Sequence, residues 1–126
     1  VYGEWLRVLK PGGVLLIFDA NWHLPYRPGA VREEAIRRER EGLKKYGRGF
    51  THDGSYEYID TELNPENYRV FGSAQRPDFD VGVLCQLPCT DVSFVRDVTE
   101  SLWSQREKEF YGATPLYMLR AVKKRP

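Results

Sequence analysis

One short segment near the start of the chain constrains its fold more than any other. Residues 7–23 have the sequence RVLKPGGVLLIFDANWH, in which a charged stretch, a Lys-Pro-Gly-Gly turn and an apolar run follow one another. The apolar run Val14 to Phe18 has no polar alternation, which is typical of a strand covered on both faces, and its five residues favour a strand over a buried helix. The preceding spacing of Val1, Trp5, Val8 and Leu9 predicts an amphipathic helix. The segment therefore predicts a helix-to-strand unit of a doubly wound α/β sheet.

Composition excludes several classes of protein. The 126 residues are 41% hydrophobic and 29% charged, with a formal net charge of +1, which fits one compact domain. The balanced charge does not favour nucleic acid or an anionic membrane as a partner. No apolar stretch approaches the roughly 20 residues of a membrane span, and no secretory signal pattern is present. We expect a soluble, cytoplasmic protein.

The two cysteines do not predict a metal site. Cys85 and Cys89 are four residues apart, which would place them on one face of a helix. No third cysteine or nearby histidine completes a ligand set, so a reduced, structural pair is expected.

Three motifs resemble one enzyme family. The phrase EWLRVLKPGGVLLIFDAN is similar to the segment leading into the fifth strand of class I S-adenosylmethionine-dependent methyltransferases. The segments RPDFD and ATPLYMLRAVKK resemble the tail of the small-molecule, type 11-like branch, where a helix precedes two final antiparallel strands. The resemblance implies that residues 1–126 form the C-terminal part of a Rossmann-like sheet, with three strands of which the last is antiparallel, and an inserted charged helix.

The resemblance also implies a cofactor site that this chain does not contain. The glycine-rich loop and the ribose-binding acidic residue of the family would lie upstream of Val1, and no Gly-x-Gly-x-Gly pattern is present. We therefore expect S-adenosylmethionine as the cofactor of a parent protein, no cofactor-binding residue in this chain, and an isolated chain that is inactive. The implied function is methyl transfer to an unidentified small molecule. The alternative is a non-catalytic binding or dimerisation module with a half-methyltransferase fold.

The middle of the chain, residues 27–73, is interpreted as a lid and loop insertion. Ten of the fourteen residues from Arg32 to Lys45 are charged, between a proline start at Pro28 and a glycine stop at Gly47. This predicts a solvated helix whose thin apolar side, at Val31, Ala35, Leu43 and Tyr46, docks on another element. A lid over a substrate and a plain surface helix both remain open. Residues 48–73 predict a functional loop, a partner surface or a partly disordered segment.

The last third of the chain predicts helices and strands in alternation. Phe79, Val83 and Leu87 have helical spacing, and a short helix is predicted within Glu100 to Tyr111. The runs Asp91 to Val98 and Pro115 to Val122 predict strands.

The candidate site residues follow the first predicted strand. Ligands of open α/β sheets bind beyond the carboxyl ends of the strands, so Asn21, Trp22, His23 and Tyr26 are the candidates for binding the acceptor. Asp19 and His23 are weak candidates for a general base, with strand capping and a surface hydrogen bond as their alternatives. Trp22 and Tyr26 could line an acceptor pocket or pack under the lid.

The resemblance finally predicts self-association. In the family, the strand order 3-2-1-4-5-7-6 places Val14 to Phe18 beside a fourth strand that this chain lacks. An apolar edge without charges favours pairing with another copy. We expect a homodimer through the Val14 to Phe18 edge or by exchange of the N-terminal segment.

Overall fold

The computed structural model describes residues 1–26, 28–48 and 76–126. The helices are α1 (Tyr2–Val8), α2 (Ala30–Tyr46), α3 (Asp78–Gln86), α4 (Thr99–Leu102) and α5 (Gln105–Tyr111), and a 3-10 turn spans Leu24–Tyr26. The strands are β1 (Val14–Asp19), β2 (Cys89–Val95) and β3 (Tyr117–Lys123). Apart from Arg48, the loop predicted over residues 48–73 lies outside the described residues.

The strands form an open antiparallel sheet with β3 in the centre. Their order is β1-β3-β2, and β3 runs antiparallel to both neighbours. The β1 register runs from Val14 opposite Val122 to Asp19 opposite Tyr117. The prediction of a mixed α/β fold with three strands, the last of them antiparallel, is confirmed. The second strand begins before the predicted Asp91, because a bulge between Thr90 and Ser93 lets the pairing reach back to Cys89.

The turn into β1 needs both of its glycines. Gly12 has a φ of 78°, and a Cβ at Gly13 would lie 2.8 Å from the Lys10 carbonyl oxygen. Side chains at these positions would therefore strain the turn or collide with the backbone. The Lys-Pro-Gly-Gly motif is explained by this geometry.

The core lies between one face of the sheet and helices α1 and α3. Leu6, Leu84 and Leu119 are at most 2% exposed and belong to one cluster with Cys89, Tyr117 and Ala121. In α1, Leu6 faces the core with Tyr2 and Leu9 beside it, while Trp5 and Val8 are exposed. The prediction that Val1, Trp5, Val8 and Leu9 form the apolar face of α1 is therefore wrong, except that Leu9 packs against the core. The Lys123 ammonium donates to the carbonyl oxygens of Arg7 and Leu9, which fixes the side that the helix turns to the sheet.

The three apolar residues that predicted helix α3 differ in burial. Phe79 is 45% exposed, Val83 is half-buried and Leu87 packs against the core, while Asp80 and Leu84, four residues apart, are the buried pair. Asp80 can be buried because its carboxylate is paired with an arginine, and a hydropathy pattern gives no sign of such a pair. The helix ends at Gln86, so Cys85 is exposed on α3 while Cys89 is buried at the start of β2. The two thiols do not share a helical face.

The opposite face of the sheet is open at β1. Val14, Leu16 and Phe18 are 45%, 50% and 47% exposed, whereas Leu15 and Ile17 pack against the core. The strand was expected to be covered on both faces, and that expectation is wrong for the described part of the chain. Helices α1 and α3 pack on the same face of the sheet, which leaves alternate β1 side chains exposed.

The charged helix α2 docks on α5 through its smallest residue. A Cβ at Gly42 would lie 2.4 Å from the ring of Phe110, so the ring packs directly on the helix backbone. The Arg38 guanidinium donates to the Lys108 carbonyl oxygen, and the Tyr46 hydroxyl donates to Glu109. Of the predicted docking side, Ala35 is buried and Leu43 is exposed. The helix ends as predicted, with Gly47 in the left-handed conformation.

Candidate functional site

The site begins at Asp19, where β1 ends. Its Oδ1 accepts hydrogen bonds from the Ala20 amide at 2.8 Å and from the Trp22 indole at 2.9 Å. Its Oδ2 accepts a bond from Arg76 at 2.7 Å. The carboxylate therefore caps the strand end and orients the Trp22 ring. With donors on both oxygens, it is better placed to hold these groups than to remove a proton from a substrate.

Arg76 connects the strand end to α3. Its side chain is 12% exposed and donates to Asp19 and, through Nε at 2.9 Å, to Asp80. A second hydrogen bond, from Nη2 to Asp80 at 3.1 Å, makes the contact between Arg76 and Asp80 bidentate. Two carboxylates and one guanidinium form this group, which leaves one excess negative charge when all three are ionised.

Two tyrosines enclose the arginine. The Tyr2 hydroxyl donates to Oδ1 of Asp80, and the Arg76 guanidinium lies 5.7 Å from the ring centroid of Tyr117. Burial, reinforced by the neighbouring Asp80, raises the pKa of Tyr2 to about 12. Burial alone lowers the pKa of Arg76, but the bond to Asp80 and the charge of Asp19 outweigh it and raise the pKa above its ordinary value. The guanidinium is therefore charged at physiological pH.

The Tyr117 hydroxyl differs from the other polar groups of this cluster. It makes no hydrogen bond with any described residue. The residue is 2% exposed and is paired with Asp19 across the sheet, and its hydroxyl has no hydrogen-bond partner among residues 1–26, 28–48 and 76–126. Burial raises its pKa, so the hydroxyl stays neutral at physiological pH. Within the described part of the chain, this hydroxyl therefore keeps a donor and an acceptor to spare beside the charged group.

An aromatic group lies next to the charged cluster. The ring centroids of Trp22, Trp103 and Tyr111 are 5.7–6.1 Å apart, and Trp22 is 39% exposed. Helix α5 presents Tyr111, and a capping box between Ser104 and Glu107 fixes the start of that helix. The three rings are in mutual contact, so they form a wall and leave no slot between them for a further ring.

The remaining predicted site residues lie in the turn after Trp22. Asn21 accepts a backbone bond from Leu24 at 3.0 Å, and His23 is half-buried between Trp22 and the 3-10 turn. Tyr26 ends that turn, and its side chain lies outside the described part of the structure. The structure thus joins Asp19 to Trp22 directly and places the other candidates within the same connection.

Sequence reasoning missed Tyr2, Arg76, Asp80 and Tyr117. The spacing of Arg76 and Asp80, four residues apart at the start of a helix, is a recognisable ion-pair signal. Their link to Asp19, and the two tyrosines, depend on contacts between distant parts of the chain. Local patterns contain no information on such contacts.

In residues 1–26, 28–48 and 76–126, no glycine-rich turn leads from a strand into a helix, and the Asp19 carboxylate is already bonded to protein donors. Nor do these ranges contain a group of three histidine, cysteine, aspartate or glutamate residues placed to hold a metal ion. None of their helices combines the length and apolar character of a membrane span.

Comparison of the chain with protein-family models, curated protein sequences and solved structures gives no match.

Proposed function

We propose that this chain is the C-terminal portion of an S-adenosylmethionine-dependent methyltransferase that acts on a small molecule. The observation that carries the proposal is the strand order. In the resembling family the last three strands are ordered 5-7-6, with the final one between the other two and antiparallel to both. The order β1-β3-β2, with β3 central and antiparallel, has the same arrangement.

The position of the candidate site supports the same proposal. Asp19 and Trp22 follow β1 at the end of the sheet where α/β enzymes bind ligands. Methyl transfer depends largely on holding donor and acceptor in line, so a fixed aromatic wall is a useful element of such a site. The Asp19 bond orients the Trp22 ring, whose exposed surface is available to an acceptor. Of the two candidate bases, Asp19 is already engaged by Arg76.

The alternative is a non-catalytic binding or dimerisation module. The full engagement of Asp19 favours it, since a carboxylate bonded to three donors serves a structural role without any substrate. The two candidates differ in one requirement. Only the enzyme needs a glycine-rich strand-to-helix turn upstream of Val1.

The complete reading frame of the gene is the first test. We expect the upstream sequence to encode a glycine-rich turn between a strand and a helix. We also expect the full gene product to bind S-adenosylmethionine with a micromolar dissociation constant in calorimetric titration. The 126-residue chain, titrated in parallel, should show no binding at the same concentrations. A full product that binds no S-adenosylmethionine would leave the module as the better description.

A second test concerns the acceptor side of the site. In the full gene product, Trp22→Leu or His23→Gln should impair methyl transfer to a small-molecule cell fraction by about tenfold or more, since positioning contributes strongly to such reactions. Binding of S-adenosylmethionine should change less than twofold. Trp5→Leu is the matched control, because Trp5 is similarly exposed on α1. Equal losses of transfer and donor binding would assign Trp22 and His23 a structural role.

A further inference from the structure

The Asp19 carboxylate is held through both of its oxygens, and only one of them contacts Trp22. Oδ1 accepts from the Trp22 indole at 2.9 Å, and Oδ2 accepts from Arg76 at 2.7 Å. The last torsion of an aspartate side chain has broad energy minima, so the carboxylate turns easily unless both oxygens are engaged. The bond to Oδ2 restricts that rotation and keeps Oδ1 directed at the indole N–H. The orientation of the Trp22 ring therefore depends on Arg76 as well as on Asp19.

Arg76 is in turn held by groups from three elements of the core. Its Nε and Nη2 donate to Asp80 of α3 at 2.9 and 3.1 Å. The Tyr2 hydroxyl of α1 donates to the same carboxylate, and the Tyr117 ring of β3 lies against the guanidinium. Because the position of the guanidinium is set by this packing, its third donor, Nη1, meets Asp19 at a defined place.

Neutralisation of Asp80 does not require the bond from Arg76 to Asp19. The Asp80 side chain is 1% exposed and is bonded by Nε and Nη2, whereas the Asp19 side chain is 30% exposed and is bonded by Nη1. A partly exposed carboxylate retains contact with water, so burial does not demand an ion pair at Asp19. Arginine carries donors in a fixed planar fork, which the ammonium of a lysine lacks. An arginine at position 76 can therefore hold both carboxylates in fixed positions at once.

The fixed indole ring is part of the aromatic group beside the strand end. Its centroid lies 6.0 Å from that of Trp103 and 5.7 Å from that of Tyr111. The Trp22 amide also donates to the Ala20 carbonyl oxygen at 2.9 Å, so the backbone of this residue is tied to the end of β1. A change in the direction of the Asp19 carboxylate would therefore alter the wall formed by the three rings.

We propose that Arg76 is a positioning residue of the candidate site, which acts through Asp19 to fix the Trp22 ring against which the acceptor is held. Side chains that fix a functional group from behind in this way determine how precisely the group is placed. The contact between Trp22 and an acceptor rests on the proposed function. The dependence of the Trp22 ring on Arg76 does not.

Two variants break the bond between Arg76 and Asp19 in different ways. Arg76→Lys keeps a positive charge beside the buried Asp80 but lacks the planar fork that reaches both carboxylates. Asp19→Asn keeps an oxygen that accepts from the indole but places an amide group, which cannot accept, toward Arg76. Arg96→Lys is the matched control, because Arg96 bonds Asp78 of the same helix α3 at an exposed position.

Hydrogen exchange of the Trp22 indole N–H tests the positioning directly. The full gene product is prepared with isotope-labelled tryptophan, and Trp22→Phe identifies the resonance. We expect this N–H to exchange with water about tenfold faster or more in Arg76→Lys and in Asp19→Asn, because each weakens a charge-assisted hydrogen bond. The exposed Trp5 indole is the internal reference and should not change, nor should Trp22 in Arg96→Lys. The double variant should exchange no faster than the faster single variant, since both changes break one contact.

Methyl transfer by the same variants tests the role of Arg76 in the reaction. Arg76→Lys and Asp19→Asn should each slow transfer to a limiting small-molecule cell fraction by about fivefold or more, while the dissociation constant of S-adenosylmethionine changes less than twofold.

Two results would overturn the proposal. One is unchanged indole exchange in a folded Arg76→Lys, and the other is faster exchange without slower transfer in an active enzyme. Urea denaturation establishes whether Arg76→Lys is folded, and if it is not, Asp19→Asn decides by the same two measurements. A full gene product that binds no S-adenosylmethionine would contradict the proposed function, and the exchange measurement would still decide whether Arg76 positions Trp22.

Discussion

At the scale of single residues, Arg76 joins parts of the chain that are far apart in sequence. It neutralises the fully buried Asp80, and it also holds Asp19 at the strand end. Charges removed from water are tolerated only when paired and hydrogen-bonded. The Arg76 guanidinium therefore stabilises the fold whether or not the site binds a substrate.

Removal of Arg76 should destabilise the chain strongly. Arg76→Met leaves Asp80 buried without its partner, for which we expect a loss of about 3–5 kcal/mol in the free energy of unfolding. Arg37→Met is the control, because Arg37 bonds Glu34 and Glu41 on the exposed side of α2, where solvent screens the charges, and its loss should destabilise the chain much less. Urea denaturation measures both. Similar losses in the two variants would contradict the assigned role of Arg76.

Alkaline pH should reveal the coupling of Tyr2 to Asp80. The pKa of Tyr2 is raised from about 10 to about 12 by burial and by the carboxylate. Between these values the unfolded chain loses the phenolic proton and the folded chain keeps it, so this contribution to stability is present below pH 10 and is lost as pH rises toward 12. Tyr2→Phe should show a smaller decline than the parent chain when unfolding is measured from pH 9 to 12. Identical slopes would exclude the coupling.

At the scale of helices and strands, two glycines within helices have opposite roles. Gly42 lies against the Phe110 ring, whereas a Cβ at Gly82 on α3 would meet nothing within 4 Å. Glycine weakens a helix by about 1 kcal/mol relative to alanine. Packing therefore explains Gly42, and no contact within the described residues explains Gly82.

Alanine at the two positions should change stability in opposite directions. Gly82→Ala should stabilise the chain by about 0.5–1 kcal/mol through helix propensity. Gly42→Ala should destabilise it by about 1–3 kcal/mol, because the new methyl group displaces Phe110 and separates α2 from α5. Thermal unfolding measures both, and faster amide exchange confined to α2 and α5 would locate the effect. Stabilisation by Gly42→Ala would show that α2 is not docked through this contact.

The elements that sequence predicted well are those defined by local signals. The Lys10 to Gly13 turn located β1, and Pro28 and Gly47 bounded α2 closely. Local signals did not predict which face of α1 or α3 is buried. Leu6 faces inward because β3 lies beneath it, and Asp80 is buried because Arg76 reaches it from outside the helix. The candidate site shows the same contrast. Asp19 and Trp22 were predicted from the local sequence, whereas the residues that contact them from distant parts of the chain were not.

At the scale of the whole molecule, the two cysteines offer separate probes of unfolding. Cys85 is exposed, whereas the Cys89 thiol is buried and donates to the Leu84 carbonyl at 2.6 Å. Burial also raises the pKa of Cys89, which reduces its reactive thiolate form. The two thiols should therefore report different events in the same chain.

Thiol labelling should proceed in two phases. One thiol should react with a disulfide reagent under native conditions within minutes, and the second only as the chain unfolds. In Cys85→Ser, the slow phase should remain, and its rate should follow the urea dependence of global opening. Rapid labelling of Cys89 in water would mean that β2 opens locally, without loss of the core.

The central position of β3 has a consequence for how the chain acquires its fold during synthesis. Every strand pairing in the sheet uses residues 117–123, and β1 meets them across about a hundred residues of chain. Until the ribosome has released that segment, no other described strand is available to pair with β1 or β2. The three described strands can therefore join into one sheet only after residues 117–123 have been made, late in the synthesis of this part of the chain.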